Sequence, residues 1–123
     1  MGYRSEIGIL VTLPRGVKAK TMVEKLFSKW DKEDFENVFE VKERYEEFNY
    51  VYIHSKYDIK WYDTCYEDVK ATMNFIRDFE NHYKTGGIHF VRIGENNDDL
   101  EEEYKGDCER IIEVQRYMAT DFD

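Results

Sequence analysis

The sequence predicts an α+β fold, a ferredoxin-like two-layer sandwich (βαββαβ) with an additional C-terminal strand. Two observations lead to this fold class. Apolar residues occupy every second position in some segments and recur at helical spacing in others. Two helical segments are each preceded and followed by strand-like segments. A length of 123 residues is that of one domain, so we expect residues 1–123 to form a single globular unit.

The expected elements follow from the changes of hydrophobic period. Apolar residues alternate from Ile7 onward, and Pro14 ends this first strand because proline lacks an amide donor. A break in the pattern at Ser55-Lys56 indicates a bulge or a bend. Thr64 and Glu67 match a capping box, in which the two residues satisfy each other's exposed amide groups. The expected strands are residues 5–13, 37–47, 49–62, 88–94 and 110–120, and the expected helices are 17–31 and 64–83. The expected core consists of Ile7, Ile9, Val11, Val23, Leu26, Phe27, Val69, Met73, Ile76 and Ile93.

Composition favours a binding protein. Aromatic residues make up 16% of a chain whose formal net charge is −9. This aromatic content far exceeds that of a disordered acidic tail. The acidity argues against a general nucleic-acid binder, which needs excess Lys and Arg to displace counterions. Surplus Tyr and Trp are common where a protein holds a partner or a flat ligand.

Location is predicted from what the sequence lacks. It has no apolar run of about 18 residues, the length that a membrane helix needs, and no signal-peptide block. We therefore expect no membrane partner. Cys65 and Cys108 are too few for a disulfide scaffold, so reduced thiols and a cytoplasmic location are expected.

The densest group of candidate binding residues is Trp61, Tyr62 and Asp63, where the third strand meets the second helix. Such junctions expose side chains and amides that bind ligands. A core Trp, a packed Tyr and a capping Asp are the structural alternative. Antiparallel pairing would bring the start of the first strand to the same edge of the sheet. Partner contact is therefore predicted at Tyr3, Arg4, Trp61, Tyr62, Asp63 and Arg92.

An ion pair within this cluster and the position of Arg92 would both argue against a partner site here. An ion pair between Arg4 and Asp63 would make it structural instead of functional. Arg92 lies near the end of the fourth strand, and we expect it at the opposite end of the sheet unless that strand is short.

Charge is distributed unevenly. Residues 15–32 hold six Lys or Arg and two acids, a net +4, against −13 elsewhere. This basic helix either receives an anion such as a nucleotide or is a solvated face. An acidic loop is expected at 95–103, either solvated or attractive to a basic partner. Its acidic residues are Glu95, Asp98, Asp99, Glu101, Glu102 and Glu103.

Catalytic and metal-binding signals are weak. The three histidines, His54, His82 and His89, lie on separate expected elements without a ligand partner at metal spacing. We therefore expect no cofactor and no metal. A nucleophilic pair of Cys65 and His89 has no local sequence signature.

Three segments resemble a family of small bacteriophage accessory proteins whose motifs have no known chemistry. They are residues 2–7, residues 60–63, and residues 90–95 followed by Asp98 and Asp99. The resemblance covers most of the chain in order, although the proline that usually follows the Trp-Tyr-Asp segment is missing. It implies an accessory protein in the bacterial host cytoplasm and, by analogy, an inhibitor of a host enzyme or defence protein.

Three functions stay open at this point. The first is a non-enzymatic inhibitor that binds a host protein, possible also as a homo-oligomer. The second is a small-ligand binder that sequesters a nucleotide signal through stacking and basic contacts. The third is a small enzyme that uses Asp63, Cys65 or a histidine.

The charge predicts that the protein does not bind duplex DNA with sub-micromolar affinity. A local +4 cannot offset −13 elsewhere, and the phosphates are repelled. Fluorescence anisotropy with a labelled duplex checks this. Salt-sensitive binding at nanomolar protein concentrations would contradict it.

Overall fold

The computed structural model describes residues 4–14, 16–45, 49–56, 59–61, 67–83, 85–94, 100–106, 112–113 and 119–120. These residues form an α+β fold with a six-stranded antiparallel sheet, a separate two-stranded sheet and helices between the strands. In chain order the elements are β1 (Arg4–Leu13), α1 (Ala19–Leu26), α2 (Lys32–Val38), β2 (Phe39–Tyr45), β3 (Asn49–Ser55), β4 (Ile59–Lys60), α3 (Glu67–Arg77), α4 (Phe79–His82), β5 (Gly87–Ile93), β6 (Leu100–Gly106), β7 (Ile112–Glu113) and β8 (Ala119–Thr120).

The main sheet has the strand order β2-β3-β1-β5-β6, and β4 pairs with the start of β1. Every pairing in it is antiparallel. Strand β1 lies in the middle, so that Ile9 pairs with Ile53 on one side and Phe90 on the other. The predicted first, second and fourth strands are confirmed to within two residues at each end.

Helices α1 and α3 cover one face of this sheet. They bury Met22 and Leu26 from α1, and Met73 and Ile76 from α3, in one cluster with the odd-numbered residues of β1. Both helices have a single apolar face, which is why they form only when that face packs on the strands.

The opposite face of the sheet is also buried at its centre. Leu10, His89 and Val91 are fully buried and Tyr52 is 4% exposed. These residues alternate with the helix-facing positions and lie side by side in the register. The central strands therefore lack the exposed polar face of a simple two-layer sandwich.

Both predicted helices are divided in the structure. The helix expected at 17–31 ends at Leu26, and a second helix begins at Lys32. Asp31 starts it by accepting hydrogen bonds from the amides of Glu33 (3.0 Å) and Asp34 (3.4 Å). The helix expected at 64–83 appears as α3 and α4, and Thr64 of the capping box lies outside the described residues.

A bulge or a bend is expected at Ser55-Lys56, and the structure shows a bend there, which divides the strand expected at 49–62. Strand β3 ends there, a bend follows at Lys56, and the chain pairs with β1 again through β4. The Ser55 hydroxyl accepts a hydrogen bond from the Ile7 amide at 3.0 Å. It replaces the backbone carbonyl that the bend removes from the ladder.

Two strand predictions are wrong. Within the region expected as one strand at 110–120, β7 and β8 pair with each other as antiparallel partners, which a continuous strand cannot do. Residues 100–106 form β6, although the sequence predicted an acidic loop through residue 103. Glutamate is a poor strand former, so pairing with β5 overrides the local preference.

The predicted core is largely confirmed. Nine of its ten residues are buried, and Val23 is partly buried against the cluster. Ile93 is buried outside the helix-facing cluster, because it shares a face with Val91. None of the described helices is long and apolar enough to cross a membrane.

We predict that Leu26→Ala and Ile76→Ala each lower the free energy of unfolding by roughly 2–5 kcal/mol, because each truncation leaves a cavity in a buried site. The side chains are 1% and 0% exposed. Urea denaturation measures the effect, with Lys20→Ala on the exposed face of α1 as the control. An unchanged midpoint for either core variant would contradict the packing of that helix.

Candidate functional site

The structure brings the start of β1 and the end of β4 together, as predicted. Arg4 pairs with Lys60 and Ser5 pairs with Ile59 in antiparallel register. Of the predicted contact residues in this cluster, Tyr3, Tyr62 and Asp63 lie outside the described residues. The alternative of an ion pair between Arg4 and Asp63 stays a prediction for the same reason.

Trp61 is buried instead of forming an exposed platform. It is 6% exposed, and its ring lies 6.3 Å from Trp30 in a stacked arrangement and 6.2 Å from both Phe39 and Phe90. Edge and offset contacts of this kind stabilise aromatic clusters. Trp61 is therefore part of the hydrophobic core and does not offer its ring face to a partner.

Arg92 lies at the same end of the sheet as Arg4, and the expectation that it points to the opposite end is wrong. Strand β5 runs antiparallel to β1, so Arg92 near its end pairs with Ile7 near the start of β1. Its guanidinium donates to the Ser5 hydroxyl (3.0 Å) and to the Glu101 carboxylate (3.2 Å). Arg92 is 17% exposed, so its charge is already engaged within the fold.

The acidic residues divide between described and undescribed regions. Glu95, Asp98 and Asp99 lie outside the described residues. Glu101, Glu102 and Glu103 are in β6, each beside a basic or titratable side chain. The pairs are Glu101 with Arg92 (3.2 Å), Glu103 with Arg77 of α3 (3.6 Å), and Glu102 with His89 (3.5 Å).

Strand β6 is also fixed at its end. The Gly106 amide donates to the Glu80 carboxylate of α4 at 3.1 Å. Gly106 has a φ of +69°, and a Cβ there would meet the Gly86 carbonyl oxygen at 2.3 Å. Only glycine fits this turn without a shift of the backbone.

The exposed large apolar side chains of the described residues are both on β6. Leu100 is 46% and Tyr104 is 36% exposed, and they share a face of the strand with Glu102 because the side-chain period is two. The Tyr104 ring stacks at 4.1 Å on the fully buried His89. Strand β6 is the last strand of the sheet among the described residues, so its outer backbone edge faces away from β5.

A carboxylate–imidazole pair lies on the face that turns away from the helices. His54 Nε2 and Glu6 Oε2 are 2.6 Å apart, and the side chains are 30% and 20% exposed. Such a pair can hold and transfer a proton. The candidate nucleophile Cys65 lies outside the described residues, and among the described ones no three His, Cys, Asp or Glu side chains form a metal-binding group.

A groove of about 510 Å³ opens between α1 and the α3–α4 pair. Lys25 and Ser28 line one wall, and Asn74, Asp78 and His82 line the other. Beneath it, Phe75 is 7% exposed and stacks on His82 at 4.3 Å. The Lys25 ammonium lies 5.4 Å from the centre of the Tyr83 ring.

No family model matches the chain, and no curated protein or solved structure matches it closely enough to show a relationship.

Sequence reasoning did not find β6, the Glu6–His54 pair or the groove. Leu100 and Tyr104 lie on the same side of β6, but Glu102 stands between them at the position where a strand pattern would have an apolar residue. The alternation is therefore too weak to predict a strand. The Glu6–His54 pair joins residues 48 positions apart, so it depends on the β1–β3 register. The groove likewise depends on how two helices pack.

Tyr83 gives a test of the helix layer. Burial raises the pKa of its hydroxyl above the ordinary value, and this oxygen has no hydrogen-bond partner among the described residues. The folded state then holds the proton to higher pH than the unfolded state does. Stability therefore falls as pH rises through about 10, the ordinary tyrosine pKa.

We predict that Tyr83→Phe is neutral or stabilising by about 1 kcal/mol at pH 7, because it removes a buried hydroxyl that has no partner. Its advantage over the wild type should widen above about pH 10. Urea denaturation of both proteins at pH 7 and at several pH values above about 10 measures the difference. A difference that stays constant with pH would contradict the burial of the hydroxyl.

Proposed function

We propose that the protein is a non-enzymatic accessory protein that binds and inhibits a partner protein through β6. The observation that carries this proposal is the placement of Leu100 and Tyr104, exposed on an acidic outer strand. The three segments that resemble bacteriophage accessory proteins support a host protein, including a defence protein, as the target. They also support the bacterial host cytoplasm as the place of action.

The backbone of β6 supports this mode of binding. An outer strand presents amide and carbonyl groups that can pair with an extended segment of another chain. Its seven residues match the length of β5, with which it pairs throughout. Leu100 and Tyr104 then supply apolar contacts beside the added strand, and tyrosine is one of the residue types enriched among those that contribute most binding energy.

The negative charge of the protein favours a basic partner. The chain carries −9 in total, and three consecutive glutamates lie along β6. Because Glu101 and Glu103 face Arg92 and Arg77, their contribution to binding is reduced by internal pairing. We therefore infer that the overall acidity steers a basic partner toward the protein, while Leu100 and Tyr104 hold it.

We further propose that β1, α1, β2, β3, α3 and β5 form a ferredoxin-like sandwich, to which β6 is added. The strand order β2-β3-β1-β5 and the antiparallel pairings support this arrangement. So does the packing of α1 and α3 on one face of the sheet.

Leu100→Ser tests the partner surface. We predict that it weakens binding of the captured partner roughly 30-fold, as expected for loss of an anchor worth about 2 kcal/mol. Leu100→Met, which keeps the apolar volume, should bind like the wild type. Proteins from bacterial lysate are captured on immobilised wild-type protein, and the retained partner is identified. The dissociation constant of this partner is then measured for the wild type and for each variant. The activity of the partner is measured with and without added wild-type protein.

Two outcomes would contradict the proposal. One is a partner that binds Leu100→Ser and the wild type equally, when circular dichroism shows both proteins folded. The other is a partner that binds but keeps its full activity, which would remove the inhibitory role. Raising the salt concentration should slow association with a basic partner.

A further inference from the structure

We propose that the groove between α1 and the α3–α4 pair binds a nucleotide carrying an exocyclic amine, with the base on His82 and the phosphate on Lys25. This site lies on the helix layer, involves no residue of β6, and does not rest on the proposed partner surface. Three features of the groove carry the inference: a flat ring held in place, a cation beside that ring, and polar groups of both hydrogen-bonding types.

His82 offers the flat ring. It stacks on Phe75 with ring centres 4.3 Å apart and an angle of 16° between the planes. Phe75 is itself held by Phe79 and Tyr83, at 6.2 and 6.4 Å. Because His82 is exposed while Phe75 is 7% exposed, one face of the imidazole is supported from below and the other is open. Bases stack on such supported rings.

Lys25 supplies the cation. Its ammonium lies 5.4 Å from the centre of the Tyr83 ring, within the range of a cation–π contact. This contact keeps the charge next to the Phe75–His82 stack, because Tyr83 also contacts Phe75. A lysine ammonium binds a phosphate as a compact point charge.

The polar residues that line the groove determine how a bound nucleotide is oriented. Ser28 and Asn74 can each donate and accept, whereas the Asp78 carboxylate only accepts. Asp78 therefore repels a phosphate and favours an amine or a hydroxyl. A nucleotide that places its phosphate at Lys25 and its exocyclic amine at Asp78 satisfies both charges, because the amine donates to the carboxylate.

Size and local charge agree with this ligand. The groove volume of about 510 Å³ is within the usual range of small-ligand sites, about 300–1,000 Å³. Residues 15–32 carry a net +4 in an otherwise acidic chain. This local positive charge favours the approach of an anion to the helix region.

Isothermal titration with AMP tests the site, with UMP, adenosine and inorganic phosphate as comparison probes. AMP should bind more tightly than the other three. UMP lacks the exocyclic amine, adenosine lacks the phosphate, and inorganic phosphate lacks the base. Absence of AMP binding, or an affinity for AMP no higher than that for UMP, adenosine or inorganic phosphate, would overturn the proposal.

Variants locate the binding. His82→Ala should weaken AMP binding by about five- to 150-fold through loss of stacking, and Lys25→Met by about tenfold through loss of the charge. Lys20→Met is the matched control, because Lys20 is exposed on the same helix and does not line the groove. It should bind AMP like the wild type. Equal losses for Lys20→Met and Lys25→Met would overturn the site.

A measurement on the wild-type protein avoids dependence on variant folding. Amide chemical-shift changes on AMP addition should be largest at Lys25, Asn74 and His82. Shifts confined to other regions would overturn the proposal. Because β6 is not involved, Leu100→Ser should bind AMP normally, so failure of the partner surface and failure of this site are distinguishable.

Discussion

The structure depends on the burial of β1 on both faces and both edges. Its odd-numbered apolar residues from Ile7 to Leu13 face the helices, and Leu10 is buried on the other side. Strands β3 and β4 pair along one edge and β5 along the other. A strand enclosed in this way satisfies its backbone groups only if all its neighbours are in register. The positions of Arg92, His54 and Trp61 all follow from this register.

Ion pairs explain why an acidic segment folds as a strand. Glu101 and Glu103 share one face of β6, and their mutual repulsion opposes the extended conformation. Arg92 from β5 and Arg77 from α3 lie against them. Ion pairs that are partly open to solvent are individually weak, but here they accompany seven residues of ladder pairing. The acidic strand is thus a product of its neighbours and not of its own sequence.

The aromatic content has a structural explanation over much of the chain. Trp30, Trp61, Phe27, Phe35 and Phe39 form one connected group of ring contacts between the helices and the sheet. The Trp30 indole donates to the Thr72 hydroxyl at 3.1 Å, which ties this group to α3. Among the described aromatic residues, Tyr104 is the large ring with substantial exposure. Among the described residues, the aromatic side chains therefore lie mostly in the core, and Tyr104 of β6 is the exposed one.

The sequence by itself determined the α+β class, four of the long strands, the two main helical regions and nearly all of the core. These features are readable because the spacing of apolar residues along a strand or a helix shows which of its sides is buried. It also indicated a bulge or a bend at Ser55-Lys56. Only the tertiary structure decided that Trp61 is buried, that Arg92 lies beside the start of β1, and that the glutamates of 101–103 form a strand. Each of these depends on contacts between residues far apart in the chain: antiparallel register brings the end of β5 to the start of β1, and arginines from two other elements offset the charge of β6. Such long-range pairing leaves no periodic signal in a single sequence.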